Sequence, residues 1–386
     1  MNSENSINQL VNLRHNIHQN PELSGVEYET AKLVAKKLAL LRPDTLLSNI
    51  GGCGVAAKFD GIEDGPCILF RAELDALPIN ETNDFSYRSK KTGVSHKCGH
   101  DGHMAIICGL GEMVAQNRPS RGSVILLFQP AEETGNGARA VVADKAFAKL
   151  KPDYCYALHN LPGYPMGEVL IRAGTFNCAS RGMIIKLTGK TAHAAYPETG
   201  NSPAPALAEL LQIFPHMAST LNKNELLMTT TVHASMGEKA CGTAPSDAIL
   251  MVTLRSETNE GMDLLADKAQ TEVNRVINQY DLQSDISWTD IFDASVNDEQ
   301  CVKQIERAAL KTNHQVTWLD DPFRWSEDFG AISASATGAM FGYGAGETNP
   351  QIHNPDYDFP DELIRSGLSI FFEIYKEHLL NTPISI

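Results

Sequence analysis

No stretch of the 386 residues strings together the roughly eighteen apolar side chains that a bilayer-spanning helix needs, so a transmembrane helix is excluded. The N-terminal segment, MNSENSINQLVNLRHNIHQNPEL, lacks the charged-then-apolar layout of a secretion signal, and a cytoplasmic location is the expectation. Positive charge is scarce. The 32 Lys and Arg against 47 Asp and Glu leave a net charge of -15, which repels the phosphates of nucleic acids and anionic membranes, so neither is expected as a partner. The eight cysteines, at 53, 67, 98, 108, 155, 178, 241 and 301, form no CxxC pair and are read as reduced thiols, most of them in the core. No G-x-S-x-G elbow occurs, so a serine hydrolase of the α/β type has no support. Thr188-Gly189-Lys190-Thr191 looks like the end of a phosphate loop, but Ile184 stands where that loop needs a glycine.

What is present fits a soluble globular protein: 42% of residues are apolar and 20% charged. At about 150 residues per domain the length allows roughly two and a half domains. The first 40 residues predict two helices separated by Pro21, the second with Ala31, Val34, Ala35 and Leu38 on one face. Short apolar runs follow, CILFRAEL (67–74), SVILLFQ (123–129) and DYCYALHN (153–160), alternating with helix-like stretches. That alternation predicts an α/β fold: a mixed, mostly parallel sheet flanked by helices. Between 179 and 289 the pattern changes to amphipathic strands and two helices, the makings of a small α+β sandwich. The simplest organisation is one α/β domain, 1–178 and 290–386, interrupted by an inserted domain, 179–289.

Three of the apolar runs lead into acids or histidine. The first reaches Asp75, the second Glu132-Glu133, and the third His159. Ligands of open α/β sheets bind beyond the carboxyl ends of the strands, so these groups are expected at one edge. The densest cluster is His96-Lys97-Cys98-Gly99-His100-Asp101-Gly102-His103. A thiolate and an imidazole two residues apart can reach one borderline-soft divalent ion, with Gly99 letting the backbone bend between them. His103 would share a helical face with His100. Of the paired glutamates, one can bind a metal while the other takes a proton from water, the division of labour of metal-assisted hydrolysis. His353, in His-Asn-Pro-Asp ahead of the last helix, is weak on its own, and a turn explains the Asn-Pro as well.

Eight segments in order, HQNPELSGVEYETA (18–31), RAELDALP (71–78), HKCGHDGH (96–103), QPAEETGNGA (129–138), ALHNLP (157–162), GKTAHAAYPETGNSP (189–203), SEDFG (326–330) and HNPDYDFPDE (353–362), resemble the M20 metallopeptidase family. The likeness is to its amidohydrolase branch, which includes hippurate hydrolases, auxin-conjugate hydrolases, aminoacylase-like enzymes and N-acetyldiaminopimelate deacetylases. The resemblance implies two divalent metal ions, zinc or manganese, sharing a bridging water. It implies Cys98, His100, Glu133, His159 and His353 as metal ligands, Glu132 as general base, and Asp75 as the acid that orients a ligand. His193 matches a histidine of the inserted lid that holds the substrate carbonyl or its oxyanion, often from a partner subunit. The implied activity is hydrolysis of the amide of N-acyl amino acids, small-molecule substrates, by a homodimer joined through the inserted domain. An aminopeptidase or dipeptidase of the same superfamily, and a binding protein that has lost catalysis, are the alternatives.

Two departures stand out. The loop Cys241-Gly242-Thr243-Ala244-Pro245-Ser246-Asp247-Ala248 is shorter than its family counterpart by about four residues and lacks the Asn that normally meets substrate, which leaves substrate choice open. Glu73 replaces the Asp that many relatives carry in RAELDALP, and with Asp75 kept it is expected to be tolerated.

Overall fold

The computed structural model describes residues 4–221 and 225–380. Helix α1 (Glu4–Gln19) ends just before Pro21, and α2 (Tyr28–Ala39) buries Ala31, Val34 and Leu38. An antiparallel pair, β1 (Thr45–Ile50) and β2 (Gly54–Asp60), comes next. It is followed by β3 (Glu63–Glu73), α3 (His100–Gln116), β4 (Arg121–Gln129), α4 (Gly137–Ala143), β5 (Tyr154–Leu161) and β6 (Val169–Ile171). The chain then builds a second body with β7 (Ala179–Thr188), α5 (Ala204–Met217), β8 (Leu227–Met236), β9 (Asp247–Ser256), α6 (Asn259–Gln279) and β10 (Gln283–Phe292). It returns with α7 (Glu299–Lys311), β11 (Val316–Trp318), α8 (Phe329–Ser333), β12 (Thr337–Gly344) and α9 (Glu362–Leu379).

Two compact units result. Among the described residues the first comprises 4–176, 295–321 and 328–380, and the second 177–221, 225–294 and 322–327. In the first, eight strands form one sheet in the order β1-β2-β4-β3-β5-β12-β6-β11. Its centre, β4-β3-β5-β12, is parallel, while β2 and β6 run antiparallel to their neighbours β4 and β12. This is the mixed, mostly parallel sheet flanked by helices that the apolar runs predicted. Strands covered on both faces must be apolar nearly throughout, and Cys67–Glu73, Ser123–Gln129 and Cys155–Leu161 are buried at every position. Helices α1, α3, α7 and α9 supply the covering side chains, among them Leu10, Ile106, Ile305 and Phe371. Each large apolar side chain so buried contributes about 1.5–3 kcal/mol.

The second unit has a four-stranded antiparallel sheet in the order β8-β9-β7-β10. Strand β9 alternates strictly between buried and partly exposed residues, the signature of a sheet with one covered face. Helices α5 and α6 cover it with Leu210, Phe214, Leu265 and Val273. Thr258 caps α6, its hydroxyl accepting the Gly261 N–H at 3.0 Å. Among the described residues no helix is long and apolar enough to cross a membrane.

Candidate metal centre

The parallel strands β4, β3 and β5 are neighbours, and the chain leaving their carboxyl ends carries Glu132-Glu133, Asp75 and, within β5 itself, His159. Cys98 lies just before α3, and His100 is that helix's first residue. Gly99 between them has φ +101°, a left-handed turn that glycine makes without penalty. Glu132 and Glu133 stand in a single 3-10 turn (Glu132–Thr134) rather than on an extended strand. That turn begins after Ala131, itself left-handed at φ +50°, a conformation that costs a residue with a side chain about 1–3 kcal/mol.

These elements bring seven expected residues of the first unit together. Cys98, His100 and His159 each offer a donor atom within 4.8 Å of the other two. Cys98, Glu133 and His353 form a second such group, and His100, Glu132 and Glu133 a third. The Cys98 sulfur is 3.4 Å from His159 Nε2, His353 Nε2 is 3.7 Å from a Glu133 oxygen, and His100 Nε2 is 3.8 Å from Glu132 and 3.9 Å from Glu133. Cys98 is therefore common to the first two groups, Glu133 to the last two, and His100 to the first and third. Asp75, the seventh, joins through hydrogen bonds: its backbone carbonyl takes the His100 Nδ1 hydrogen at 2.8 Å, and its carboxylate accepts the Glu133 N–H at 3.0 Å. His193 lies in the second unit, exposed on a two-residue strand, its Nδ1 accepting the Ala195 N–H at 3.0 Å.

The model for peptidase family M20/M25/M40 matches residues 69–377. The chain belongs to that family. It is similar to N-acetyl-L-cysteine deacetylase of Bacillus subtilis, 30% identical over 378 residues that cover 96% of this chain and 88% of the relative. Hippurate hydrolase of Campylobacter jejuni is 28% identical over 370 residues, 95% and 96% of the two chains. Among solved structures, the Bacillus subtilis YXEP protein, described as a dinuclear metal binding peptidase from the M20 family, superposes with a TM-score of 0.81 at 24% identity, covering 97% and 98%.

The donor set fits the cations of an M20 hydrolase. Carbonyl oxygens only accept, so His100 and His159 carry their hydrogens on Nδ1, bonded to Asp75 O and, at 3.0 Å, Asn160 O. Both Nε2 atoms then present lone pairs inward. His100 Nε2 is buried and has no hydrogen-bond partner, an atom that asks for one. Electrostatics agree. Burial and the charges of Glu133, Glu132 and Glu73 hold the Cys98 thiol well above its usual pKa. Burial opposes charge on His100, but its bond to Asp75 and the charges of Glu73, Glu133 and Asp75 push it up to about 10. A pocket that raises a thiol and an imidazole together is one short of positive charge, which a divalent ion supplies.

The sequence reading offered His103 as a companion of His100, but it turns elsewhere. Its Nδ1 meets the Glu73 carboxylate at 2.7 Å, and its Nε2 accepts the Asn160 N–H at 3.4 Å. Glu73 thus has a function of its own. Burial opposes its charge, yet Arg71 and His103 hold it well below the usual carboxylate range. Arg14 and Glu81 drew no notice in the sequence, and His18 and Lys97, though inside the 18–31 and 96–103 segments, were given no role. They form a buried network with Asp101 and Asp358 behind the 96–103 segment: Arg14 reaches Asp358 at 2.8 Å and Asp101 at 3.2 Å, and His18 bridges Asp101 at 2.8 Å and Glu81 at 2.9 Å. In the second unit, Thr243 and Ala244 of the 241–248 loop pair antiparallel with His193 and Ala192.

Proposed function

We propose that the chain is a metal-dependent amidohydrolase that releases the acyl group from N-acyl amino acids. One observation carries the reading: two donor triplets share Cys98, and a further carboxylate, Glu132, stands beside them. Cys98, His100 and His159 would hold one divalent ion, zinc or manganese, and Cys98, Glu133 and His353 the other. Such ions supply Lewis acidity and lower the pKa of water. Membership of the M20 family supports hydrolysis, and two relatives are named for acylated amino acids, N-acetyl-L-cysteine and hippurate.

The residues divide the work. Glu132 takes a proton from the attacking water as its oxygen bonds to the acyl carbon, and returns that proton to the departing nitrogen as the C–N bond breaks. The products are a carboxylic acid and a free amine. Asp75 keeps His100 in the tautomer that presents Nε2 and steadies Glu133 through its N–H. His193 is assigned to the substrate carbonyl oxygen, and the second unit to a homodimer contact. Both assignments rest on the motif GKTAHAAYPETGNSP.

The test is amine release from N-acetyl, N-benzoyl and other N-acyl amino acids, with added Mn²⁺ or Zn²⁺ and again with chelator. Chelator-sensitive release is expected. Release from free dipeptides alone would replace this reading with a dipeptidase. Glu132→Gln should abolish turnover at near-normal metal content, and substantial retained activity would remove Glu132 from its role.

A further inference from the structure

The segment Pro21–Thr30 has no part in the chemistry above, yet it grips the chain on which that chemistry depends. Ser24 Oγ donates to the Asp75 carboxylate at 2.7 Å, and the Ala76 N–H donates to Glu22 O at 2.8 Å. Glu27, fully buried, accepts the N–H of Gly25 at 2.9 Å and that of Ala131 at 2.7 Å with one oxygen. The segment is closed on itself by Glu22, whose carboxylate takes the N–H and hydroxyl of Thr30 at 2.8 and 2.9 Å.

Ala131 is the residue immediately before Glu132. Its left-handed backbone, φ +50° and ψ +41°, crowds Cβ against the following carbonyl oxygen. Such a residue stays there only when its surroundings insist. Its carbonyl is held by the Gly137 N–H at 3.1 Å and the Thr134 hydroxyl at 3.2 Å, and its N–H by Glu27. On the far side of Glu132, the Glu133 N–H is held by Asp75, which Ser24 holds in turn. The backbone on either side of Glu132 is thus tied to a buried carboxylate, and both ties lead back to residues 24–27.

We propose that Glu27 is a positioning residue for the reaction: by taking the Ala131 N–H it keeps Ala131 left-handed and so fixes the direction of the Glu132 carboxylate. The proposal rests on Glu132 being the proton carrier. Released from Glu27, Ala131 relaxes toward negative φ and redirects Glu132, while Glu133 stays held through its N–H by Asp75.

The experiment compares steady-state kinetics, bound metal and thermal melting of Glu27→Leu, Glu27→Gln, Glu27→Asp and the double variant Glu27→Leu/Ala131→Gly. Glu27→Leu keeps volume and loses the acceptor, so kcat should fall roughly tenfold to a hundredfold with KM and metal content unchanged. Glu27→Gln keeps an acceptor oxygen and should recover most of the rate. Adding Ala131→Gly to Glu27→Leu should also restore much of the loss, because glycine adopts the left-handed conformation unaided, whereas a mere packing defect at Glu27 would not respond. If Glu27→Leu fails to fold, Glu27→Asp, whose shorter arm draws the acceptor back from Ala131, carries the same test alone and with Ala131→Gly. Wild-type kcat in Glu27→Leu and Glu27→Asp, or no recovery on adding Ala131→Gly, overturns the proposal. An active Glu132→Gln overturns instead the assignment on which it rests, so the two failures are told apart.

Discussion

Replacing Gly99 by alanine tests whether the hinge between Cys98 and His100 sets metal affinity. Gly99 adopts φ +101°, and a left-handed backbone costs an alanine about 1–2 kcal/mol. A Cβ there would overlap the Asn160 side-chain oxygen. Asn160 cannot step aside cheaply, because it is buried, its side-chain amide donates to the Tyr357 hydroxyl at 2.6 Å, and its main-chain carbonyl orients His159. Overpacking of this kind costs a further 1–3 kcal/mol or so. Together the penalties come to about 2–5 kcal/mol. Relieving them moves Cys98, His100 and His159, so the cost falls on the bound ions, a loss of affinity of roughly thirtyfold to several thousandfold. The assay is metal retained after dialysis against a graded series of buffered chelator, with the melting temperature of the metal-free protein as control. Wild-type retention by a folded Gly99→Ala protein would refute the argument, since the donors would then tolerate a displaced hinge.

Three further outcomes follow from the geometry. Cys98→Ala should lose both ions while His353→Ala loses one, because Cys98 belongs to two triplets and His353 to a single one; equal losses, by elemental analysis of dialysed protein, would contradict the shared corner. Burial works against charge on His18, but Asp101 and Glu81 hold it protonated up to about 9 against an ordinary 6.5. The folded-state value is raised, so its stabilisation, up to about 3 kcal/mol, is complete below pH 6.5 and lost as pH climbs through 9. The melting temperature should therefore drop from neutral pH to about 9.5 more steeply in the wild type than in His18→Gln, and parallel slopes would argue against it. Sedimentation should give twice the mass of one chain; a monomer mass would remove the dimer assigned to the second unit.

Residues 67–74, 123–129 and 153–160 were legible as strands because a strand buried on both faces has no choice but to be apolar. Gln283–Phe292 was not, since it is a sheet edge with polar residues along much of its length and shows no apolar period. The hairpin Thr45–Asp60 was also passed over, its buried second strand rich in Ala and Gly rather than branched residues. Ligand candidates could be picked out by chemistry, as Cys, His and Glu at strand ends have few other reasons to gather. Their supports could not. Nothing in the sequence joins Glu27 to Ala131, Glu73 to His103 or His18 to Glu81, because each partnership is made by the fold across 30 to 104 positions of chain. Glu73 shows the limit well: read as a tolerated replacement for Asp, it is the acceptor that locks His103 in place.

The pairing of β5 with β12 also orders events in time. Tyr154 lies opposite Thr337, so the strand bearing His159 emerges from the ribosome well before its neighbour in the sheet. At synthesis rates of ~5–20 residues per second the wait is roughly ten to forty seconds. Residues 177–294, nearly all of the second unit, are completed in that interval and are free to fold as a body. His353 is made later still, after β12. A chain that stops short of His353 therefore lacks a donor of the second group, whereas Cys98, His100 and His159 are already present once β5 is made.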